Sequence, residues 1–344
     1  MNTQCLSATD AHIALAAELL QAGAVVGMPT ETVYGLAANA LDDAAVRRIF
    51  AAKRRPADNP LIVHIASVEM IAPLISGDWA DQADRLAKVY WPGPLTMIVK
   101  KSDRVAPSVS PYLDTVSLRM PSHPVALKMI EASGLPLAAP SANRSGRPSP
   151  TSAQHVLEDM LGEIPLIIDG GECEYGLEST VIDMTCEPPK ILRPGAVTPE
   201  MIAAVIGEVE VDERVLMPLQ EGEHPASPGM KYRHYAPKGK LTIVASAKEG
   251  TSARIAKLYD EAVAAGMRCC ILAADGHDYG NRHVYSLGAD AGAASHKFFA
   301  ALREMDAQHI DEIYCEGFEP KGIGLALMNR MARAAGFSII DEEG

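Results

Sequence analysis

The stretch IALAAELLQAGAVVGMPTETVYGL, Ile13 to Leu36, sets the fold class. Its first half repeats apolar residues at helical spacing and stops at Gly23, so Ile13–Gly23 is predicted as a helix. The apolar run AVVGM (Ala24 to Met28) follows as a buried strand, broken by Pro29. A helix feeding a short, wholly apolar strand is the unit of a layered α/β domain, where helices cover the sheet. Further strands are expected at LIVHIA (Leu61 to Ala66), LTMIVKK (Leu95 to Lys101), TVSLRM (Thr115 to Met120), LAAP (Leu137 to Pro140), LIIDGG (Leu166 to Gly171) and STVIDM (Ser179 to Met184). Amphipathic stretches such as DAAVRRIFAAKR (Asp43 to Arg54) lie between them. The first two hundred residues therefore read as a twisted mixed α/β sheet.

After Lys240 the alternation restarts. LTIVAS, CCILAA and IDEIYCEG are strand candidates, and TSARIAKLYDEAVAAG, HKFFAALREMD and GIGLALMNRMARAAG are helix candidates. Helices of that length between strands imply a second, smaller Rossmann-like α/β domain. At 344 residues the chain exceeds the roughly 250 to 300 at which single cores stop growing, which also argues for two domains. The expected division is 1–207, a linker at 208–240, and 241–344.

The composition, 48% hydrophobic and 22% charged, is that of a globular protein, and no apolar run reaches the roughly 20 residues needed to span a bilayer. The start, MNTQCLSATDAHI, lacks a basic segment followed by an apolar one, so a cytoplasmic location is expected. None of the cysteines forms a CxxC pair or zinc-finger spacing, and no HExxH is present; reduced structural thiols and no protein-held metal are expected. A net charge of −13 argues against broad nonspecific nucleic-acid binding but leaves room for a local basic pocket.

Five stretches at expected strand ends carry more Gly, Pro, hydroxyl and cationic side chains than folding requires. They are PTETVYGL (Pro29 to Leu36), KRRPADNPL (Lys53 to Leu61), SLRMP (Ser117 to Pro121), APSANRSGRPSPTS (Ala139 to Ser152) and ILRPG (Ile191 to Gly195). Loops at strand ends are where open α/β sheets bind ligands. They bring Lys53, Arg54, Arg55, Arg119, Arg144, Arg147 and Arg193 together with Thr, Ser and Asn donors. That set suits a polyphosphate, since guanidinium forks bind phosphate oxygens in pairs and small polar side chains complete the shell. In the PSAN turn, Ser141 and Asn143 are small enough to bond phosphate or ribose oxygens without crowding the ligand. For any single arginine, a solvated surface position is the competing reading. No Walker loop, kinase signature or GxSxG elbow accompanies the set.

The acid-free segment SPGMKYRHYAP (Ser227 to Pro237) follows EVEVDERVLMPLQEGE (Glu208 to Glu223), which holds six carboxylates and one arginine. So abrupt a change of sign suits a lid touching an anion; a spacer docked on the chain's own acidic surface is the alternative.

In this order, PTETVYGL, KRRPADNPL, SLRMP, APSANRSG, GLESTVID (Gly176 to Asp183), RPGAVT and SPGMKYRHYAP resemble the YrdC-like threonylcarbamoyl-AMP synthases, in the form with a linker and a C-terminal domain. The resemblance implies synthesis of threonylcarbamoyl-AMP and pyrophosphate from L-threonine, bicarbonate and ATP, as a step towards threonylcarbamoyladenosine in tRNA. It places Thr32, His64, Arg119, Ala139 and Ser179 around threonine. It places Arg55, Asn59, Thr115, Ser141, Ser149, Arg193 and Tyr232 around ATP, with Lys53 and Arg55 supplying catalytic charge near the phosphates. Arg54 stands where the family often has glycine. Magnesium is expected only as carried with ATP, and a downstream threonylcarbamoyl transferase as the partner that takes the product; direct tRNA binding is not required. Two rival readings stand beside this one. An RNA-binding module with a basic concave sheet and no chemistry would need exposed aromatics, in a chain only 5% aromatic. A carbamoyl transferase for another acceptor would lack the small-residue threonine pocket.

Overall fold

The computed structural model describes residues 1–56, 59–217, 235–245 and 250–340. Along the first part run β1 (Gln4–Ser7), α1 (Asp10–Gln21), β2 (Val26–Met28), β3 (Gly35–Asn39), α2 (Asp43–Lys53), β4 (Ile62–His64), α3 (Asp81–Tyr90), β5 (Leu95–Lys100), β6 (Thr115–Arg119), α4 (Pro124–Ser133), β7 (Leu137–Ala138), α5 (Ala153–Met160), β8 (Leu166–Asp169), β9 (Thr180–Asp183), β10 (Lys190–Arg193), α6 (Pro199–Ile206) and β11 (Glu210–Val211). Their strands form one mixed sheet in the order β1-β8-β2-β3-β7-β4-β6-β5-β9-β10-β11. The second part holds β12 (Lys240–Val244), α7 (Thr251–Ala264), β13 (Cys269–Ala274), β14 (Val284–Gly288), α8 (Ala291–Ala307), β15 (Glu312–Glu316), α9 (Ile323–Ala334) and β16 (Ile339–Ile340). These strands form a wholly parallel sheet in the order β14-β13-β15-β12-β16. The fold class is the expected one, a mixed α/β sheet with a smaller parallel α/β sheet after it. The smaller sheet is Rossmann-like in its layers, while its strand order departs from the 3-2-1-4-5-6 order of dinucleotide-binding domains.

Local chemistry explains the boundaries. Helix α1 begins before Ile13 because the Thr9 hydroxyl caps it, accepting from the His12 amide. Its buried Ile13, Ala16 and Leu20 face β2 and α4 in one core. A larger core on the other face joins α2, α3, β4 and β6. Strand β2 is buried throughout because both faces of the sheet are covered. PTETVYGL, expected as a loop at a strand end, itself runs into a strand: β3 starts at Gly35 and pairs antiparallel with β2, Met28 opposite Gly35. Strand β11, in the segment assigned to the linker, pairs with β10 and closes that edge of the large sheet.

The cores of the two parts interlock. Val33 and Leu177, from loops of the first part, pack with Leu241, Phe298, Phe299 and Leu327 of the second. Arg303 of α8, 5% exposed, donates to the Pro148 carbonyl at 2.6 Å and to Asp159 at 2.7 Å.

Candidate active site

Register places the first two functional side chains. Strands β4 and β6 run parallel with Ile62 opposite Ser117 and His64 opposite Arg119, so the imidazole and guanidinium emerge side by side at the strands' carboxyl ends. Ala139, just past β7, donates its amide to the Ile62 carbonyl at 2.9 Å and lies beside them. The PTET turn closes over this edge through Thr30, whose hydroxyl donates to the Val33 carbonyl at 2.6 Å and lies 2.9 Å from that of Thr32. Thr30, Thr32, Val33, Gly35, Arg55, Ile62, His64, Arg119, Ala139, Pro140, Ser141, Glu178, Ser179, Arg193 and Tyr235 line a cavity of about 530 Å³, including its open mouth.

At one end, Arg119 is 3% exposed. It donates to the Thr32 hydroxyl at 2.9 Å and the Gly93 carbonyl at 3.3 Å, and its outer nitrogen lies 2.7 Å from a Glu31 oxygen. Burial alone would raise the Glu31 carboxyl; the adjacent Arg119 charge overrides this and holds it below its usual value. Burial first, and Arg119 second, push His64 down to about 3, so its imidazole is neutral near pH 7. Its Nδ1 is buried without a hydrogen-bond partner.

The opposite wall comes from the β9 and β10 ends. Arg193 donates to the Ser179 carbonyl at 3.0 Å and its hydroxyl at 3.1 Å, and that hydroxyl lies 2.8 Å from Thr96. Gly195 permits this approach, because a Cβ there would stand 2.3 Å from the Thr180 amide nitrogen. The third wall is the PSAN turn, where Ser141 donates to Asn143 Oδ1 at 2.6 Å and bridges to Gly35.

Of the residues expected to touch threonine, Thr32, His64, Arg119, Ala139 and Ser179 all lie on the cavity wall. Of those expected to touch ATP, Arg55, Ser141 and Arg193 do. Asn143 and Ser149 are buried behind the wall: Asn143 donates to the Arg144 and Arg147 carbonyls, and Ser149 donates to Glu178 at 2.5 Å. Asn59 is buried, its carbonyl accepting from Arg55 at 3.4 Å. Thr115 opens β6 opposite Lys100, four residues before Arg119 and thus roughly 13 Å along the strand. Tyr232, Lys231 and Arg233 lie outside the described residues.

Three expectations need correction. The Lys53 ammonium does not face the cavity; fully buried, it donates to the Ser141 and Asn143 carbonyls and supports the PSAN turn from behind. Burial pushes its pKa well below the usual lysine value, with Arg55 adding to the effect. Arg144 and Arg147 likewise turn away, to Glu163 and Asp159, because those carboxylates sit beneath the turn. Arg54 is solvent-exposed, and its φ of 51° explains why glycine would suit that position. Sequence reasoning missed Glu178 and Tyr235, although both lie within quoted motifs. It also missed Glu31, next to Thr32.

Residues 18–195 match the Sua5/YciO/YrdC family, described as telomere recombination, and 197–336 match the C-terminal domain of threonylcarbamoyl-AMP synthase. The chain is 47% identical to the threonylcarbamoyl-AMP synthase of Pyrococcus abyssi, over 95% of each chain. It is 46% identical to that of Bacillus subtilis, over 98% of this chain and 97% of the other. The crystal structure of P. abyssi Sua5 complexed with L-threonine superposes with a TM-score of 0.92 at 46% identity, covering 99% of this chain and 98% of that one.

Proposed function

The chain belongs to the Sua5/YciO/YrdC family, in the form that carries the threonylcarbamoyl-AMP synthase C-terminal domain, and from that premise we propose that its cavity joins L-threonine, bicarbonate and ATP into threonylcarbamoyl-AMP, releasing pyrophosphate. The observation that carries this is the single cavity in which Arg119, His64 and Thr32 face Arg193, Arg55 and Ser141.

The reaction is a nucleotidyl transfer. The threonine amine adds to bicarbonate with loss of water, giving a carbamate. A carbamate oxygen then attacks the α-phosphorus of ATP, and the bond from that phosphorus to the bridging oxygen of the β-phosphate breaks, so pyrophosphate leaves. The attacking atom is already an anion, so no activated serine or cysteine is called for. The protein must align two anions, offset their charge and keep water from the labile carbamate. Arg119 offers a fork for the threonine carboxylate, held in place by Glu31 and Thr32. His64, neutral, lines the cavity beside Arg119 and adds no competing charge to the threonine end. Arg55 and Arg193, both on the cavity wall, are the cations assigned to the phosphates in this reading. Magnesium is read as part of the nucleotide substrate. Glu178, the carboxylate on the cavity wall among the described residues, is engaged by Ser149 and Arg330, so any magnesium would be carried chiefly by the phosphates.

The product is an activated adenylate for a downstream threonylcarbamoyl transferase acting on tRNA. Among the described residues no helix is long and apolar enough to cross a membrane. The RNA-binding reading lacks stacking surfaces: Tyr112 is the one aromatic among the exposed large side chains of the described residues. The test is pyrophosphate release from ATP with each amino acid in turn, with and without bicarbonate. Release that depends on both threonine and bicarbonate is expected. Release without bicarbonate, or equally with other amino acids, would overturn the assignment.

A further inference from the structure

Helix α9 of the smaller α/β unit sends one side chain into the wall of the catalytic cavity. Arg330 is completely buried. Its Nε donates to Glu178 Oε2 at 2.8 Å, and Nη2 donates to the Glu178 carbonyl at 3.2 Å. Its Nη1 donates to the Pro194 carbonyl at 2.9 Å and to Asn329 Oδ1 at 2.7 Å. Glu178 lines the cavity, Ser179 and Arg193 beside these carbonyls line it too, and Ser149 holds the other Glu178 oxygen at 2.5 Å. One guanidinium from the C-terminal unit thus ties together the two loops that form the wall opposite Arg119.

Charge adds a second argument. Glu178 is the one carboxylate on the cavity wall among the described residues, in a site whose other charged groups are arginines. Burial would raise its carboxyl, but the Arg330 and Arg193 charges draw it down to about 2, so it is ionised at working pH. A bare carboxylate there would repel a triphosphate, and in a cavity with low-dielectric walls the repulsion is poorly screened.

We propose that Arg330 is a positioning residue for the nucleotide: by fixing Glu178 and offsetting its charge, it makes the C-terminal unit part of the adenylate-forming site. The inference rests on the reading that the cavity takes ATP, and it gives the second unit a role in the chemistry beyond attachment.

The test is a four-variant cycle in the full chain: wild type, Arg330→Met, Glu178→Gln and the double variant. Binding of ATP and of threonine is measured separately by calorimetry, alongside turnover and thermal unfolding. Arg330→Met should weaken ATP by at least about tenfold, as for removal of one partner of a buried charge pair, with threonine affinity changed much less. Adding Glu178→Gln should restore most of the lost ATP affinity, since the repelling charge is gone while both hydrogen-bonding positions remain. Arg330→Lys, which keeps the charge but not the fork, should fall between wild type and Arg330→Met, and it serves where the methionine variant fails to fold. Equal loss of ATP and threonine binding without recovery in the double variant would mark Arg330 as structural only and overturn the proposal, as would unchanged ATP affinity in Arg330→Met. A wild-type protein that binds ATP but releases no pyrophosphate would defeat the proposed function while leaving this cycle readable.

Discussion

Arg119 and His64 are neighbours across one pair of strands, and their fates differ because of charge. Arg119 pairs with Glu31 at 2.7 Å, whereas His64 meets that guanidinium in a buried place and stays neutral. Arg119→Ala should cost threonine about 2 to 5 kcal/mol of binding, the usual loss when one member of a desolvated pair is removed. Calorimetric titration of threonine reads this directly, and an unchanged affinity would remove Arg119 from the threonine site. The His64 prediction concerns stability. A histidine whose folded pKa of about 3 lies below its usual 6.5 favours the folded state fully above 6.5, and that contribution is lost as pH falls towards 3. Between pH 7 and pH 5 the wild type should therefore lose about 2 kcal/mol more stability than His64→Asn, at roughly 1.4 kcal/mol per pH unit below 6.5. Denaturant melts at the two pH values check this. Parallel losses in both proteins would show that His64 is not held neutral.

At the scale of elements, strand pairing decided how much of the site could be read ahead. LIVHIA and TVSLRM are legible as strands from their apolar pattern, but only the parallel register of β4 with β6 sets His64 beside Arg119. The same strand explains Thr115, a polar residue in a motif that lies at the far end of β6 from Arg119. Strand β3 was hidden because Gly35 and the polar residues before it look like a turn, although it pairs with β2 just upstream as well as with the distant β7. Lys53 misled for a related reason: a lysine in a basic loop reads as solvated charge, yet it ends α2 pointing under the PSAN turn. Its neighbour Arg54 supplies a test. It ends α2 in the left-handed region, with an exposed side chain whose nearest acid, Glu163, is 3.5 Å away. Exposed ion pairs contribute little, and a non-glycine residue in this conformation is strained by roughly 1 kcal/mol. Arg54→Gly should thus stabilise the protein by about 0.5 to 1 kcal/mol in denaturant melts and leave ATP affinity unchanged. Weakened ATP binding would show that Arg54 does reach the nucleotide.

Across the whole molecule, a side chain of the second unit, Arg330, braces the cavity wall from behind through Glu178 and Pro194, and nothing in the sequence pattern disclosed that. GIGLALMNRMARAAG reads as a helix, and its pattern does not say that Arg330 and Arg333 are buried, Arg330 against Glu178 and Arg333 against the Arg214 carbonyl. Periodicity reports that a helix has an apolar face; it does not report what a long cationic side chain meets across an interface. The loop 172–178 packs tightly on α8 of the second unit. Gly176 has a φ of +71°, and a Cβ there would stand 2.4 Å from the His296 carbonyl oxygen of α8, while His296 Nδ1 lies 2.9 Å from the Glu174 carbonyl. Leu177, next in the chain, packs in the core of the second unit, and Glu178 after it meets Arg330. A side chain at 176 must therefore both adopt a strained backbone and push α8 away from the loop that carries the cavity wall. Gly176→Ala should lower stability by about 2 to 4 kcal/mol, the sum of a strained left-handed alanine and an overpacked contact. It should also weaken ATP more than threonine, because the displaced loop leads to Glu178, while Arg119 is anchored on β6. Melting curves and separate titrations of the two substrates measure both effects. Full stability and unaltered ATP affinity in Gly176→Ala would mean that the two units can separate at this point without disturbing the site.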